Sequence, residues 1–500
     1  MISRRPDAIL HAQFYCEDGI WFSQAYIQGA IKALSIPYGG YLVTFQRIIA
    51  GFSLLVPIAH APLVMNLGAM FVQIAPVNLL CSARCACFGT LPMRFLMSLT
   101  YLALPNAEEI HANLTNSQWH LALIAALPIL ASTPATRPGR IADQFVLLIA
   151  GLTGPFCIVL FPIAVAMWYL RPNRWRLLST AAVAMCALVQ GYFLFVATQA
   201  SRVKMPLGAS FPLFIHFLSN HIFLPAVLGI ADYGSHLSLG LETALSCAGI
   251  LIVVYGFLYS GVERRLFILF SALVFAASLR SSLVSLTLPQ WPVMDSTSGA
   301  RYWFFPTLAF VWALLWCANL RNRDKFHLPA LACSALMTIG IARNWVFAPL
   351  PDQNFASQAE RFCSLPRNYG FSFRIAPEGW LMMLPKDPTV CTVLPFGYLD
   401  GPSENTRITE PVTVRGWVSA SHPVRDIAIT VDGSLVKSVR PAMRRPDVDR
   451  LYPKSSVIDK GWQASLDLSG FTAGVHKIQT YAALENGCSM EIGSSSIVKP

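Results

Sequence analysis

An all-α polytopic membrane bundle of about eight to ten transmembrane segments, followed by a C-terminal antiparallel β-sandwich, is the fold class the sequence predicts. Three observations carry the prediction. Only 13% of the 500 residues are charged and 54% are hydrophobic, whereas soluble domains carry about 25% charged residues. Apolar runs near the roughly 20 residues a spanning helix requires recur as far as residue 348, separated by arginine-rich turns. From residue 393 the pattern changes to short alternating strands. The resulting domains are an outer-face loop with interfacial helices (1–61), a transmembrane helical domain (62–349), an extracytoplasmic connector (350–392) and the β-sandwich (393–500).

Residues 1–20 hold Arg4, Arg5 and Asp7 and no apolar core, so they do not read as a cleavable signal peptide. The topology below needs residues 1–40 on the outer side. Either the first downstream helix translocates a short tail, or a spanning helix precedes Met1 in the natural gene; the second is the expectation. Residues 20–36 and 41–59 are amphipathic, broken by Pro37-Tyr38-Gly39-Gly40, and read as helices lying at the outer membrane surface. Arg47, costly at mid-bilayer, agrees with that placement.

Runs at 62–80 and 88–104 flank Arg84, which marks a cytoplasmic turn. The loop 105–118 then lies outside, and 119–133 returns to Arg137 and Arg140. Residues 141–170 contain Gly151-Leu152-Thr153-Gly154-Pro155 and read either as two half-helices meeting at that turn or as one kinked span. Arg171-Pro172-Asn173-Arg174-Trp175-Arg176, Glu263-Arg264-Arg265 and Arg321-Asn322-Arg323-Asp324-Lys325 are expected to face the cytoplasm. Spans near 178–199, 241–260, 266–286, 303–320 and 328–348 connect them, with outer loops at 200–240 and 287–302.

The net charge of +11 fits these basic loops; without a basic tract or recognition motif, no nucleic-acid partner is expected. Cys81, Cys85 and Cys87 cluster with no further ligand nearby to complete a metal shell. Cys363 and Cys391 flank an outer segment and are a candidate disulfide. In the tail, Val412-Thr413-Val414-Arg415-Gly416-Trp417-Val418 and Ile427-Ala428-Ile429-Thr430-Val431 alternate, and Asp432-Gly433 predicts a hairpin turn.

This topology gathers polar groups from distant loops on the outer face. Glu17 and Asp18 are a general base and its orienting neighbour, or a solvated residue beside a helix cap. Glu109 is a further carboxylate. Asn113, Asn116, Trp119 and His120 form a hydrogen-bonding run suited to a sugar or acceptor, with capping and an interfacial tryptophan as the alternative. Arg301, with Tyr302, stands at the outer end of a span against the positive-inside trend; it suits a phosphate or snorkels to headgroups. Arg47, Arg202 and Lys204 are weaker candidates of the same kind.

The run 13–19, Tyr38-Gly39-Gly40-Tyr41-Leu42, Arg47, the stretch 113–120, the Gly154-Pro155 turn and Arg301-Tyr302 together resemble bacterial GT-C-type membrane glycosyltransferases. Arg415-Gly416-Trp417, Val431-Asp432-Gly433 and Gly461-Trp462 resemble small β-sandwich domains attached to bacterial sugar-handling membrane proteins. The resemblance implies a GT-C fold in a bacterial inner membrane, with the C-terminal domain in the periplasm. It implies a polyprenyl-phosphate sugar donor, a glycan or lipid acceptor, and Asp18 with Glu17 as the catalytic acidic pair. Glu17 orients the acceptor or a metal, with Mg or Mn as the candidate ion and its ligands left open. In this reading Arg301, Tyr302 and Arg47 hold the donor phosphate, while Glu109, Asn113, Asn116, Trp119 and His120 hold sugar or acceptor. The alternatives are a lipid-linked sugar flippase or transporter, and a non-catalytic envelope polysaccharide assembly protein.

Overall fold

The computed structural model describes residues 1–197, 205–229, 237–285, 287–295, 297–319, 325–407, 411–453 and 455–500. Arg202, Lys204 and most of the basic turn 321–325 lie outside the described residues. The chain forms two compact units: Met1–Trp21 with Ala30–Leu350, and Phe22–Gly29 with Pro351–Pro500.

The first unit is helical. Among the described residues, four helices are long and apolar enough to cross a membrane: Ile58–Cys81, Arg174–Ala197, Phe211–Leu228 and Leu239–Tyr259. Ser117–Leu130, Phe156–Leu170 and His327–Arg343 are shorter apolar helices. Two helices form the centre. In Ser117–Leu130 and Phe304–Ala318 nearly every residue is buried, from Leu123 and Leu127 in the first to Leu308, Trp312 and Leu314 in the second. A helix that is apolar all round must be enclosed on all sides. The flanking helices instead turn apolar residues outward, such as Leu188, Phe195, Leu251 and Tyr259. An apolar surface of that extent suits lipid rather than water.

The central helix Ser117–Leu130 has 14 residues, so it rises roughly 21 Å, short of the roughly 30 Å hydrocarbon core. The polar segment in front of it is correspondingly buried, and it must satisfy its own hydrogen bonds.

Residues 141–170 fall in two helices, Arg137–Gly151 and Phe156–Leu170, interrupted at the Gly154-Pro155 turn. Gly154 sits between them at φ +81°, where a Cβ would fall 2.7 Å from Gln118 Oε1. The amphipathic stretches become Asp18–Gln28 and Thr44–Ser53, as expected. The outer loop expected at 200–240 does not hold in its middle, where Phe211–Leu228 is helical. His216, Asn220, His221 and Pro225 obscure the apolar run there.

The second unit contains a mixed sheet domain. Its strands are β1 (Tyr369–Ile375), β2 (Trp380–Pro385), β3 (Phe396–Gly401), β4 (Thr406–Arg407), β5 (Val412–Ser419), β6 (Val424–Val431), β7 (Ser434–Val439), β8 (Gly461–Leu466), β9 (Gly474–Leu484) and β10 (Ser489–Lys499). One sheet runs β2-β1-β10-β9-β6-β7 with β4 also on β10; the other runs β3-β5-β8. The expected all-antiparallel arrangement is corrected at two places, because β1 and β4 both pair with β10 in parallel. The expected boundary at 393 is also corrected: β1 and β2 fall within the stretch read as a connector. Their alternation, Phe371-Ser372-Phe373-Arg374-Ile375, precedes the change in composition. The Asp432-Gly433 turn does join β6 to β7, with φ of 50° and 81°. Val414, Ile427, Ile429, Trp462, Leu466 and Ile478 build the core between the sheets.

The disulfide joins Cys391 to Cys488, not Cys363, which is a free, exposed thiol. Peptide mapping under non-reducing conditions should recover the Cys391 and Cys488 peptides as one linked pair and Cys363 as an alkylated thiol. The bridge spans 97 residues of sequence, so Cys488→Ser should lower the stability of the sheet domain by about 2–5 kcal/mol in denaturant unfolding.

Candidate functional site

Glu17 and Asp18 lie at a tight turn into the helix Asp18–Gln28. Cys16 adopts φ +47°, an uncommon conformation for a residue with a side chain. The amides of Asp18 and Ile20 then bond to Tyr15 O at 2.9 Å and Glu17 O at 2.9 Å. Asp18 is 0% exposed. Its Oδ1 accepts from the Thr115 hydroxyl at 2.7 Å and its Oδ2 from the Tyr15 amide at 3.2 Å. Burial pushes its carboxyl up to about 7, against the opposing pull of those hydrogen bonds. Asp18 thus ties the first loop to the second. Glu17 is half-buried, and Tyr38 Oη lies 3.4 Å from its Oε1. Burial and the neighbouring Glu17 hold the Tyr38 hydroxyl above its ordinary pKa, so it remains a donor.

The second loop is folded by its own side chains. Asn113 Nδ2 and Asn116 Nδ2 both donate to Glu109 O, at 2.7 and 2.9 Å, and Asn113 Oδ1 accepts from the Asn116 amide at 3.0 Å. Glu109 is buried and pairs with Arg301: one oxygen takes a guanidinium N–H, and the other accepts the Arg301 amide at 2.7 Å. Burial pushes the Glu109 carboxyl up and Arg301 opposes it. The guanidinium also donates to Leu283 O at 3.0 Å, and Tyr302 Oη accepts the Leu283 amide at 3.0 Å. Trp119 is buried edge-on against Phe156 and Tyr302. His120 bridges Tyr101 Oη at 2.9 Å and Ile110 O at 3.0 Å.

The three loops do converge. Glu17, Glu109, Arg301, Tyr302 and Tyr41 interact electrostatically as one group. Around it, Asn113, Asn116, His120 and Tyr302 spend their hydrogen bonds on the protein itself, Trp119 packs its ring while its Nε1 meets no acceptor, and Arg301 carries its own counter-ion. Arg47 differs. It is 0% exposed, its guanidinium lies 4.7 Å from the Trp21 ring centre, and its Nη2 donates to Ile36 O at 3.2 Å. Its Nε and Nη1 have no hydrogen-bond acceptor, and no carboxylate pairs with it among the described residues. Burial lowers this guanidinium to about 10. The neighbouring Gln46 is likewise buried with neither end of its amide bonded.

Sequence reasoning missed Thr115, Tyr38 and Tyr41 as members of the group. Thr115 lies inside the quoted polar run, and both tyrosines flank Gly39-Gly40. It missed entirely a second cluster, His216, His221 and Asp295, with Glu242 behind it. Gln190, buried in the helix Arg174–Ala197, pins Leu42: its Oε1 accepts the Leu42 amide at 2.8 Å and its Nε2 donates to Leu42 O at 3.1 Å.

No protein family matches the sequence, and no curated protein matches it.

Two measurements test this geometry. Glu109→Ala leaves the half-buried Arg301 without its counter-ion and should cost about 1–3 kcal/mol, much of it regained in Glu109→Leu/Arg301→Met; chemical or thermal unfolding of detergent-solubilised protein reports both. Asp18 titrates near 7 in the folded protein and at the ordinary 3.8 when unfolded. The folded state therefore binds the extra proton between those values. Its stabilisation is full below about pH 4 and is lost as pH rises through about 7. Melting temperatures should fall between about pH 4 and pH 7 in wild type, and with a shallower slope in Asp18→Asn.

Proposed function

We propose that this chain is an integral membrane glycosyltransferase that transfers a sugar from a polyprenyl-phosphate donor to an extracytoplasmic glycan or lipid acceptor. The observation that carries the reading is Arg47: a buried guanidinium whose Nε and Nη1 meet no acceptor and which has no carboxylate partner among the described residues. Burying such a charge alone is costly, and an anion removes the cost. A phosphate suits the flat, forked guanidinium. Trp21 connects this group to the carboxylates, since its ring meets Arg47 on one side and Tyr38 on another, and Tyr38 reaches Glu17.

In this mechanism the acceptor oxygen attacks the anomeric carbon of the donor. The bond from that carbon to the phosphate oxygen breaks, and the phosphate leaves with the electron pair. Glu17 takes the acceptor's proton. Asp18, closed in by Thr115 and the Tyr15 amide, positions the turn that presents Glu17. Arg47 neutralises the charge developing on the leaving phosphate. The Glu109–Arg301 pair braces the second loop against the late one.

In a transfer assay with radiolabelled polyprenyl-phosphate sugars, Glu17→Gln should lower kcat by about 10²–10⁴-fold. Arg47→Ala should lower kcat and weaken donor use, and Arg47→Lys should recover part of each. Full activity of Glu17→Gln with loss in Asp18→Asn would move the base to Asp18. Full activity of both, or of Arg47→Ala, would sink the mechanism.

A further inference from the structure

Away from the carboxylate pair, His216, His221 and Asp295 bring one ligand atom each within 4.8 Å of one another. His221 Nε2 lies 2.7 Å from Asp295 Oδ1, and His216 Nε2 lies 3.3 Å from the same oxygen. The two histidines are five residues apart, a spacing that does not share one face of an α-helix. Here the backbone is a π-helical turn over Phe217–Phe223. A π-turn closes i to i+5 and is a recurrent feature of functional sites. It brings the two rings to 5.8 Å between centroids. Asp295 arrives from the far end of the helix Gln290–Met294.

The surroundings fix how the rings point. Glu242 Oε1 sits 2.8 Å from His216 Nδ1, and Asn220 Nδ2 donates to the same Glu242 oxygen at 2.7 Å. A carboxylate that accepts Nδ1–H leaves the Nε2 lone pair directed at Asp295, the usual arrangement behind a metal-bound histidine. The His221 ring stacks on Trp303 at 5.1 Å with a 10° tilt, which locks its plane. All three ligand side chains keep 21–37% of their surface exposed, so an ion has access.

We infer that His216, His221 and Asp295 bind a transition-metal dication of the zinc class. Two imidazole nitrogens and one carboxylate oxygen favour zinc-type ions over magnesium or calcium, which prefer all-oxygen shells. Three protein ligands leave a coordination position for water or a substrate oxygen, as in sites where the metal takes part in chemistry rather than only holding the fold. Glu242 is the positioning residue, held in turn by Asn220. The inference does not depend on Glu17 or Arg47, and its failure would leave the transfer mechanism intact.

Zinc content of the full-length, detergent-solubilised chain, free of affinity tags and dialysed against zinc-free buffer after loading, tests it directly. Wild type should retain one zinc per chain, not displaced by excess magnesium. His216→Ala, His221→Ala and Asp295→Asn should lose it, and Glu242→Gln should bind about 10–100-fold more weakly. The exposed His422→Ala should match wild type. Cobalt loading of wild type alone should give the visible d–d bands of a low-coordinate nitrogen–oxygen site, and zinc should raise its melting temperature, so the answer stands even if a variant fails to fold. The inference is overturned if wild type retains no zinc and is not stabilised by it. It is equally overturned if His216→Ala/His221→Ala keeps the wild-type stoichiometry, or if magnesium displaces zinc.

Discussion

Burying polar loops inside an apolar bundle is the constraint on which the helical unit depends. Because Ser117–Leu130 is too short to fill a bilayer alone, the residues before it are drawn inside, where an unpaired donor or carboxylate is expensive. The remedy is mutual satisfaction. Glu109 receives the Arg301 guanidinium and amide, its carbonyl receives two asparagine side chains, and Asp18 receives Thr115. The N-terminal segment follows the same rule. Arg4, buried, donates to Leu102 O at 2.7 Å, Leu104 O at 3.0 Å and Trp345 O at 3.1 Å, and Arg5 reaches Glu108 O at 3.2 Å. Each of these arginine contacts joins segments far apart in sequence, so the ends of several helices are fastened to one another by charge-assisted hydrogen bonds.

That economy divides the polar residues into two kinds. Asn113, Asn116, His120 and Arg301 are chemically capable of binding a sugar or phosphate, yet their capacity is spent on backbone carbonyls or on Glu109. Arg47 is the contrary case: it is as deeply buried, but two of its N–H groups meet no acceptor. Glu17 and Asp18 divide in the same way, although they are adjacent. The left-handed turn at Cys16 sends Asp18 into the junction with Thr115 and leaves Glu17 half-exposed beside Tyr38. Residue type alone does not separate these roles; the number of partners already supplied does.

What the sequence made legible follows from range. Apolar length located Ile58–Cys81, Arg174–Ala197 and Leu239–Tyr259, and Asp432-Gly433 located a hairpin, because both signals are local. The convergence of Glu17, Glu109 and Arg301 was legible only through topology, with arginine-rich turns fixing which loops share a side. The partner of Cys391 was not legible, since Cys488 is brought to it by strand pairing across most of the sheet domain. The parallel pairing of β1 with β10 was hidden for the same reason. Among the helices, Phe211–Leu228 was hidden because its polar residues dilute its hydropathy, and those residues include the two histidines that meet Asp295. An i, i+5 pair has no meaning on an ideal α-helix and acquires one only when the backbone widens to a π-turn.

The segment from Gln290 to Trp303 connects these observations. It carries Asp295 near its start and Arg301 and Trp303 at its end, immediately before the central helix Phe304–Ala318. Asp295 meets His216 and His221, Arg301 meets Glu109, and Trp303 stacks on His221. The two polar clusters are therefore not independent in position. Phe304–Ala318, enclosed on nearly all sides, gives the segment a buried base. Asp295 and Arg301 thus stand six residues apart on the stretch leading into Phe304–Ala318, one in each polar cluster.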